Sequence, residues 1–566
     1  MSYMILVPLL PLLAVVVIGL AGGLSRARAV RLAAPALAAA FAGAVATLAL
    51  VVAHGPIDVR LYDPDTAGLS ILSLGFHIDR LAAVMMVLIT GVGAIIYFYS
   101  VTYMQQEDGY ARFHMLLAVT TSVLLCMVSS ANLLMLFIFW QLLSWLVPLL
   151  SHNYAHGPTM DGFFKTYALH RLGDVAFLGG LVLIWHLYGT LEFQPLFARS
   201  AETPITLSLW GGWQINAVTA ITLLLFVGAM SKSAQFPIHV WLPASLYAPT
   251  PVHALLHAGI INAGGFLINR LAPLYGQSPV TLHVAFVVGG VTAIVAAAIM
   301  LTRSDIKTML GYSTIGQMGY MIMECGLGAF ALAIFHLIAH GLFKATVFLN
   351  CGNVIHLDRK EPKFPPDHHL EEAEPQPHMP WITGIVTTLL LPLLILLIAH
   401  GALRVPLQDD QGAVIFLFFA WVTSAQAILS LYRLRTIGSW KAAAVMVVTI
   451  FLVIGTYLWA AERFTYFLYP APGEASRYFQ AAAFPPWLFD AFLAVVMAMV
   501  IIGWTVVYTN VRGEHSLMPR WGQGLMTRLY VWFWNGLYLD AVYLRMSRAL
   551  SRFARRVDAA LPEWLP

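Results

Sequence analysis

The sequence predicts an all-α fold, a polytopic bundle of about 14–16 transmembrane helices, on three observations. Of 566 residues, 60% are apolar and 10% charged, where a soluble globular chain carries roughly 25% charge. Mean hydropathy is +0.77, and the excess runs along almost the whole chain rather than filling one core. Apolar runs of roughly 20 residues, enough to cross about 30 Å of hydrocarbon as helix, recur to about residue 510. The alternation of an outer-membrane barrel is absent, so the backbone has to satisfy its hydrogen bonds within helices.

The elements follow in order. Met4 to Leu20 lacks a basic leading segment and a cleavage site, and reads as a retained helix rather than a signal peptide. Runs at 29–53, 79–101, 112–130, 132–151, 164–189 and 215–234 come next, then 251–271, 279–302, 306–325 and 328–352. The last are 379–404, 411–432, 440–462 and 487–510. Residues 357–380, rich in proline, histidine and charge, are too short for a domain and read as a cytoplasmic loop. Beyond Pro519, Trp532, Trp534 and Tyr538 accompany Arg545, Arg548, Arg552 and Arg555, the composition of an interfacial helix, a docking tail or a solvated basic end. With alternating spans, Arg26, Arg112, Arg303, Lys307 and Arg359 share one side. The positive-inside rule assigns that side to the cytoplasm and the N-terminus to the periplasm of a bacterial inner membrane.

Several function classes drop out. Cys126, Cys325 and Cys351 have no CxxC spacing, which argues against a disulfide framework or structural zinc. The formal net charge of +4 is too dispersed for a nucleic-acid partner. No nucleophile with an adjacent base, phosphate loop or dinucleotide fingerprint is legible, so no catalytic residue, cofactor or metal is expected in this chain.

The informative residues are the ionisable ones at bilayer depth, each of which costs a few kcal/mol unless it has a partner, water or a task. Lys232 ends an apolar helix and is followed at once by Pro237 and Pro243, which break the helix and free backbone carbonyls. A snorkelling lysine at a helix end is the plain alternative. Lys344 shares a helical face with His336 and His340, at spacings of eight and four residues. Amines and imidazoles pass protons along hydrogen-bonded water, and His257 lies in the span after the break, between the two lysines in sequence. Each histidine taken alone also suits a hydrogen-bonded core role; His336 and His340 also have metal-pair spacing, without a carboxylate or cysteine companion. Asp174 stands three residues after Arg171 on one helical face, as a structural or a functional pair. Glu324 is a lone carboxylate near the end of its span.

Four stretches carry a resemblance. KSAQFPIHVWLPASLYAPTPVHALLHAG from Lys232, DIKTMLGYSTIGQMGYM at 305–321, HLIAHGLFKATVFLNCGNVIH at 336–356, and NLLMLFIFWQLLSWLVPLL at 132–150 with HRLGDVAFLGG at 170–180 resemble the antiporter-like subunits of respiratory complex I, subunit-5 type, and of Mrp cation/proton antiporters. The resemblance implies two inverted five-helix repeats, each with a discontinuous helix, and a water-bridged chain of lysines and histidines. The expected segments are 1–110 (N-terminal helices), 111–272 and 273–435 (the repeats), 436–512 (C-terminal helices) and 513–566 (amphipathic tail). Lys232 matches the lysine of the first half-channel, His257 the bridging histidine, Lys344 with His336 and His340 the central relay, and Arg171 with Asp174 a buried charged pair. The tail is too short for the long lateral helix of some complex I members.

Two departures mark the branch. Gln141 stands where the family has the glutamate that pairs with the first lysine. Around Pro392, the second broken-helix candidate, the distal lysine motif is missing and only His400 is ionisable. This pattern resembles the membrane subunits of DAB-type inorganic carbon accumulation systems. The resemblance implies a subunit conducting cations, protons or sodium, and coupling their flow to CO2 hydration and bicarbonate formation. Catalysis would belong to a soluble partner of the DabA type that resembles a zinc carbonic anhydrase, with the zinc in that partner. Competing expectations are a subunit of a respiratory, hydrogenase-type or Mrp antiporter complex, and a non-conducting membrane scaffold for a soluble enzyme.

Overall fold

The computed structural model describes residues 2–20, 25–62, 73–107, 109–151, 157–208, 211–245, 248–360, 459–460, 462–488, 491, 494–495 and 520–560. Among them, eight helices are long and apolar enough to cross a membrane. The chain opens with a 3-10 turn and α1 (Leu10–Leu20), which pack on α2 (Arg26–His54) and α4 (Tyr110–Val128). The chain continues with α3 (Arg80–Tyr103), α5 (Leu133–Ser151), α6 (Gly157–Tyr188), a short α7 (Phe193–Glu202) and α8 (Ala217–Lys232). Two antiparallel hairpins, β1 (Ile57–Tyr62) with β2 (Leu74–Ile78) and β3 (Thr206–Ser208) with β4 (Gln214–Asn216), are the only strands among the described residues. They sit in connections between helices.

The helix break falls where the prolines place it. After Lys232, Pro237 precedes a 3-10 turn (Ile238–Val240) and Pro243 lies in the four-residue α9 (Trp241–Ala244). Helix α10 (Thr250–Ala258) follows, then a second 3-10 turn (Ile260–Asn262), α11 (Ala263–Arg270) and α12 (Ala272–Tyr275). The run at 251–271, expected as one continuous helix, is therefore itself interrupted at Gly259. Side chains satisfy groups the breaks release: Trp241 Nε1 donates to Ser231 O (2.8 Å), Ser233 Oγ to Ile261 O (2.7 Å), and the Phe236 amide to Thr292 Oγ1 (3.0 Å). Irregular backbone at this depth is tolerable because protein encloses it.

Helices α13 (Pro279–Met300), α14 (Ile306–Gly326) and α15 (Phe330–Lys360) complete the main bundle, with α16 (Glu474–Ala482) beside them. Because α15 runs to Lys360, the first residues of the expected 357–380 loop are helical; the rest of that loop lies outside the described residues. The expected spans after 379 lie wholly or mainly outside them too. Helices α13 and α14 meet backbone to backbone: a Cβ at Gly289 would stand 2.6 Å from Gly319 O, and one at Gly319 2.6 Å from Ala293 N. Small residues permit this approach, and van der Waals contact holds helices together where lipid supplies no hydrophobic drive.

The burial pattern is that of a protein dissolved in lipid. Val280, Val287, Val291 and Ile294 of α13, and Leu172, Val175, Leu178 and Val182 of α6, form exposed apolar stripes at helical spacing. Lys232, His170, His253, His257 and Lys344 are buried instead. Gly173 fixes the relation between α6 and α8, since a Cβ there would overlap the Ser231 hydroxyl and meet Val227 O at 3.3 Å. Gly173→Leu is expected to push α6 off α8 and cost about 1–3 kcal/mol or more, read as a lowered thermal midpoint of the protein in nanodiscs.

Candidate functional site

Two clusters of ionisable groups occupy the bundle interior, one around Lys232 and one around Lys344. The first surrounds Lys232 at the last turn of α8. Its side chain is fully buried (0% exposed), and Nζ donates to Ser144 Oγ of α5 at 2.5 Å and faces His170 Nδ1 of α6 at 3.5 Å. The amine also lies 5.6 Å from the centre of the Trp140 ring. Ser144 in turn donates to Asp174 Oδ2 (2.8 Å), and Trp140 Nε1 donates to Asp174 Oδ1 (2.9 Å). Arg171 is paired with Asp174 at 3.1 Å and donates to Gln141 Oε1, with its guanidinium over the Tyr167 ring at 5.0 Å. Gln141 is thus a ligand of Arg171, not of Lys232. The lysine still connects to a carboxylate, through one hydroxyl.

The second cluster lies among α10, α14 and α15. Lys344 is 1% exposed, and its Nζ donates to Leu310 O of α14 (3.3 Å). His340, one turn earlier, is buried, and its ring centre lies 6.2 Å from that of His336. His336 donates from Nδ1 to Glu324 (3.1 and 3.2 Å) and meets Gln317 Oε1 through Nε2 at 2.9 Å. Glu324, expected as a lone carboxylate, is therefore half of an ion pair, and both nitrogens of His336 are engaged. His257 of α10 stacks on Phe348 of α15 (4.5 Å, 12° between planes), 6.0 Å from the His253 ring and within electrostatic reach of His340 and Lys344. Neither ring nitrogen of His257 has a hydrogen-bond partner among the described residues. His257 thus adds to the Lys344 cluster a buried imidazole with both nitrogens open.

A third polar group closes the end of the bundle where α3 begins and α11 ends. Arg270, 7% exposed, holds Asp79 with both arms (2.7 and 3.1 Å) and donates to Val128 O (3.2 Å). Asp79 also caps α3 by accepting from the Ala82 amide (2.8 Å). His77 stands 3.8 Å from Asp79 and 2.5 Å from Asp58. Burial pushes the Asp79 carboxyl upward, but Arg270, His77 and the cap hydrogen bond outweigh it and hold it below the ordinary carboxylate value. At the opposite end, a cavity of about 450 Å³ lies under the helix break, lined by Val240, Pro243, Arg303, Tyr312, Trp534 and Asp540 among others. Its outer wall is the C-terminal segment, α17 (Arg520–Trp534) and α18 (Leu539–Ala560). Asp540 forms an ion pair with Lys165, and Tyr543 donates to Pro237 O (3.2 Å). The first turn of α18 docks on the bundle, while Arg545, Arg548, Arg552 and Arg555 are exposed.

The structure therefore brings Lys232, Asp174, Arg171 and Gln141 into one cluster, and Lys344, His340, His336 and Glu324 with His257 into the other. His400 and Pro392 lie outside the described residues. Sequence reasoning missed Ser144, Trp140 and His170 as neighbours of Lys232, and the Asp79–Arg270 pair. Ser144 and Trp140 sit beside Gln141 on α5 at helical spacing, a signal present but unspecific. Asp79 and Arg270 are 191 residues apart, beyond the reach of any local pattern.

Residues 130–424 match the family described as NADH:quinone oxidoreductase/Mrp antiporter, TM, and residues 66–114 match the N-terminus of NADH-ubiquinone oxidoreductase (complex I) chain 5. The chain is 37% identical, over 98% of both sequences, to a probable inorganic carbon transporter subunit, DabB1, of Halothiobacillus neapolitanus. It is 35% identical to NADH-quinone oxidoreductase subunit L of Neisseria meningitidis serogroup A, over 63% of this chain and 54% of that one. It thus spans about half the length of that relative and nearly all of the first. Among solved structures, the Mrp complex from Dietzia sp. is similar at TM-score 0.55 and 21% identity over 100% of this chain and 60% of that one. The archaeal membrane-bound sulfane sulfur reductase is similar at TM-score 0.59 and 18% identity, over 85% and 100%. These two likenesses establish a shared fold.

Proposed function

Because this chain belongs to the complex I chain 5/Mrp antiporter-like family, and within it to the DabB-type inorganic carbon transporter subunits, we propose that it conducts protons and couples their flow to CO2 hydration by a soluble partner. It is a membrane subunit of the cation-translocating type, and its relatives work in multisubunit complexes. The observation that carries the proton reading is the pair of buried lysine clusters, one with His170 beside Lys232 and the other with His340 and an open His257 near Lys344. Amines and imidazoles take and release single protons near neutral pH, and hydrogen-bonded water carries them between sites.

The finer reading adds a DabA-type partner that resembles a zinc carbonic anhydrase, holds the zinc and forms bicarbonate in the cytoplasm. It also places the chain in the bacterial inner membrane with its N-terminus in the periplasm. The long full-length likeness to DabB1 supports the branch, and Gln141 on Arg171 supports a departure from the redox-driven members. Affinity purification of the tagged chain from its own membranes tests this reading. Recovery of one zinc-containing soluble polypeptide, with bicarbonate-independent growth restored to a carbonic-anhydrase-deficient host by the pair, is expected. Flavin or iron–sulfur polypeptides in its place would assign the chain to an oxidoreductase instead.

A further inference from the structure

We propose that Asp174, acting through the Ser144 hydroxyl, is the counter-ion of Lys232 in this chain, and that this arrangement restricts the Lys232 cluster to protons. The inference rests on the reading of the chain as a proton conductor and adds which carboxylate serves Lys232 and what keeps sodium out of that cluster.

A fully buried ammonium needs a nearby negative charge or it is too costly to form. Gln141 has none to give, and its side-chain oxygen is occupied by Arg171. The nearest acceptor of Lys232 is Ser144 Oγ at 2.5 Å. A hydroxyl carries one proton, so accepting from Lys232 leaves Ser144 to donate outward; of the two acceptors in reach, Trp140 O at 3.3 Å and Asp174 Oδ2 at 2.8 Å, the nearer, charged one takes it. Ser144 thereby transmits the carboxylate's field to the amine, and the polarised hydroxyl is a better acceptor than an isolated one. Asp174 is itself fixed from three directions, by Ser144, by Trp140 Nε1 at 2.9 Å and by Arg171 at 3.1 Å. Arg171 also donates to Gln141 and lies over Tyr167, which fixes its place beside Asp174.

The same contacts define the ion. Each oxygen of Asp174 accepts from one protein donor, and the Arg171 guanidinium and the Lys232 amine stand close by, so a sodium ion would meet committed oxygens and two repelling cations. A proton needs only a lone pair. His170 Nδ1 offers one at 3.5 Å from Lys232 Nζ. One ammonium proton passes to Nδ1, leaving a neutral amine and an imidazolium, whose Nε2 proton goes onward; Nε2 has no hydrogen-bond partner among the described residues. Ser144 and Asp174 keep their protonation throughout and are positioning residues.

The test uses the full chain with its soluble partner in inverted membrane vesicles, reading proton uptake driven by an imposed potassium diffusion potential. Ser144→Ala is expected to slow uptake by about 10- to 100-fold, the effect of losing a buried hydrogen bond to a charged group. Ser144→Thr, which keeps the hydroxyl, should recover most of that loss. Gln141→Glu in the Ser144→Ala background should also restore uptake, by placing a carboxylate on the same helix; a purely structural role for Ser144 predicts no such rescue. Uptake should be equal in sodium and choline buffers. If Ser144→Ala matches the parent rate while Lys232→Ala is inactive, or if Gln141→Glu fails to rescue, the relocated counter-ion is wrong. A sodium requirement overturns the ion assignment. Parent-like uptake by Lys232→Ala overturns instead the conducting function on which the inference rests.

Discussion

Replacing Lys232 or Lys344 by alanine is expected to abolish bicarbonate-independent rescue of a carbonic-anhydrase-deficient host while leaving the protein in the membrane at normal levels. Each lysine is fully or almost fully buried and holds a specific acceptor, Ser144 Oγ for Lys232 and Leu310 O for Lys344. Loss of a positioned proton donor typically costs 10²–10⁴-fold in rate, here about 100-fold or more in proton uptake. Folding should tolerate the change, because truncation removes a buried charge along with its desolvation cost and leaves Ser144 still bonded to Asp174. Lys232→Arg is not a conservative control: the guanidinium stays protonated at any physiological pH and cannot release its proton. Rescue by both alanine variants would remove the lysines from function and favour a scaffold that recruits its enzyme without conducting.

The second large effect is on stability. Asp79→Asn should lower the unfolding free energy by about 3–5 kcal/mol, because the Arg270 guanidinium then remains buried without its counter-charge. Asparagine still accepts from the Ala82 amide, so the α3 cap survives and the loss isolates the charge. Thermal unfolding in nanodiscs reads the change, and a paired Asp79→Leu, Arg270→Leu variant should recover most of it. The pH dependence has a definite sign. The folded carboxyl lies below its ordinary value of 3.8, so its stabilisation is complete above that pH and disappears as pH falls through the lower folded value. An Asp79→Asn protein whose midpoint equals that of the parent would show that Arg270 is adequately solvated without it.

The spans could be read from the sequence because lipid imposes a length and a composition on every helix, whatever its neighbours. The expected runs at 79–101, 112–130 and 132–151 end within a few residues of α3, α4 and α5. Pro237 and Pro243 announced the break after Lys232 for an equally local reason, the missing amide and the clashing ring. The interruption at Gly259 went unread because no proline marks it; Asn262 returns its amide to Ala258 O (2.8 Å) inside a run that still looks continuous. The histidines of α15 were aligned with Lys344 by helical period alone, whereas their distance from His257 depends on how α10 packs against α15.

The class of solvent, the order and approximate length of the described helices, and the burial of Lys232 and Lys344 follow from the chain alone, since each reflects the cost of placing a polar group in hydrocarbon. The pairing of those residues came from the fold. Ser144 stands between Lys232 and Asp174, Glu324 faces His336, and Asp79 meets Arg270, because close packing such as that at Gly173 sets the spacing of helices distant in sequence. The strength of a buried charge's interactions falls off over a few ångströms, and those ångströms are a property of packing.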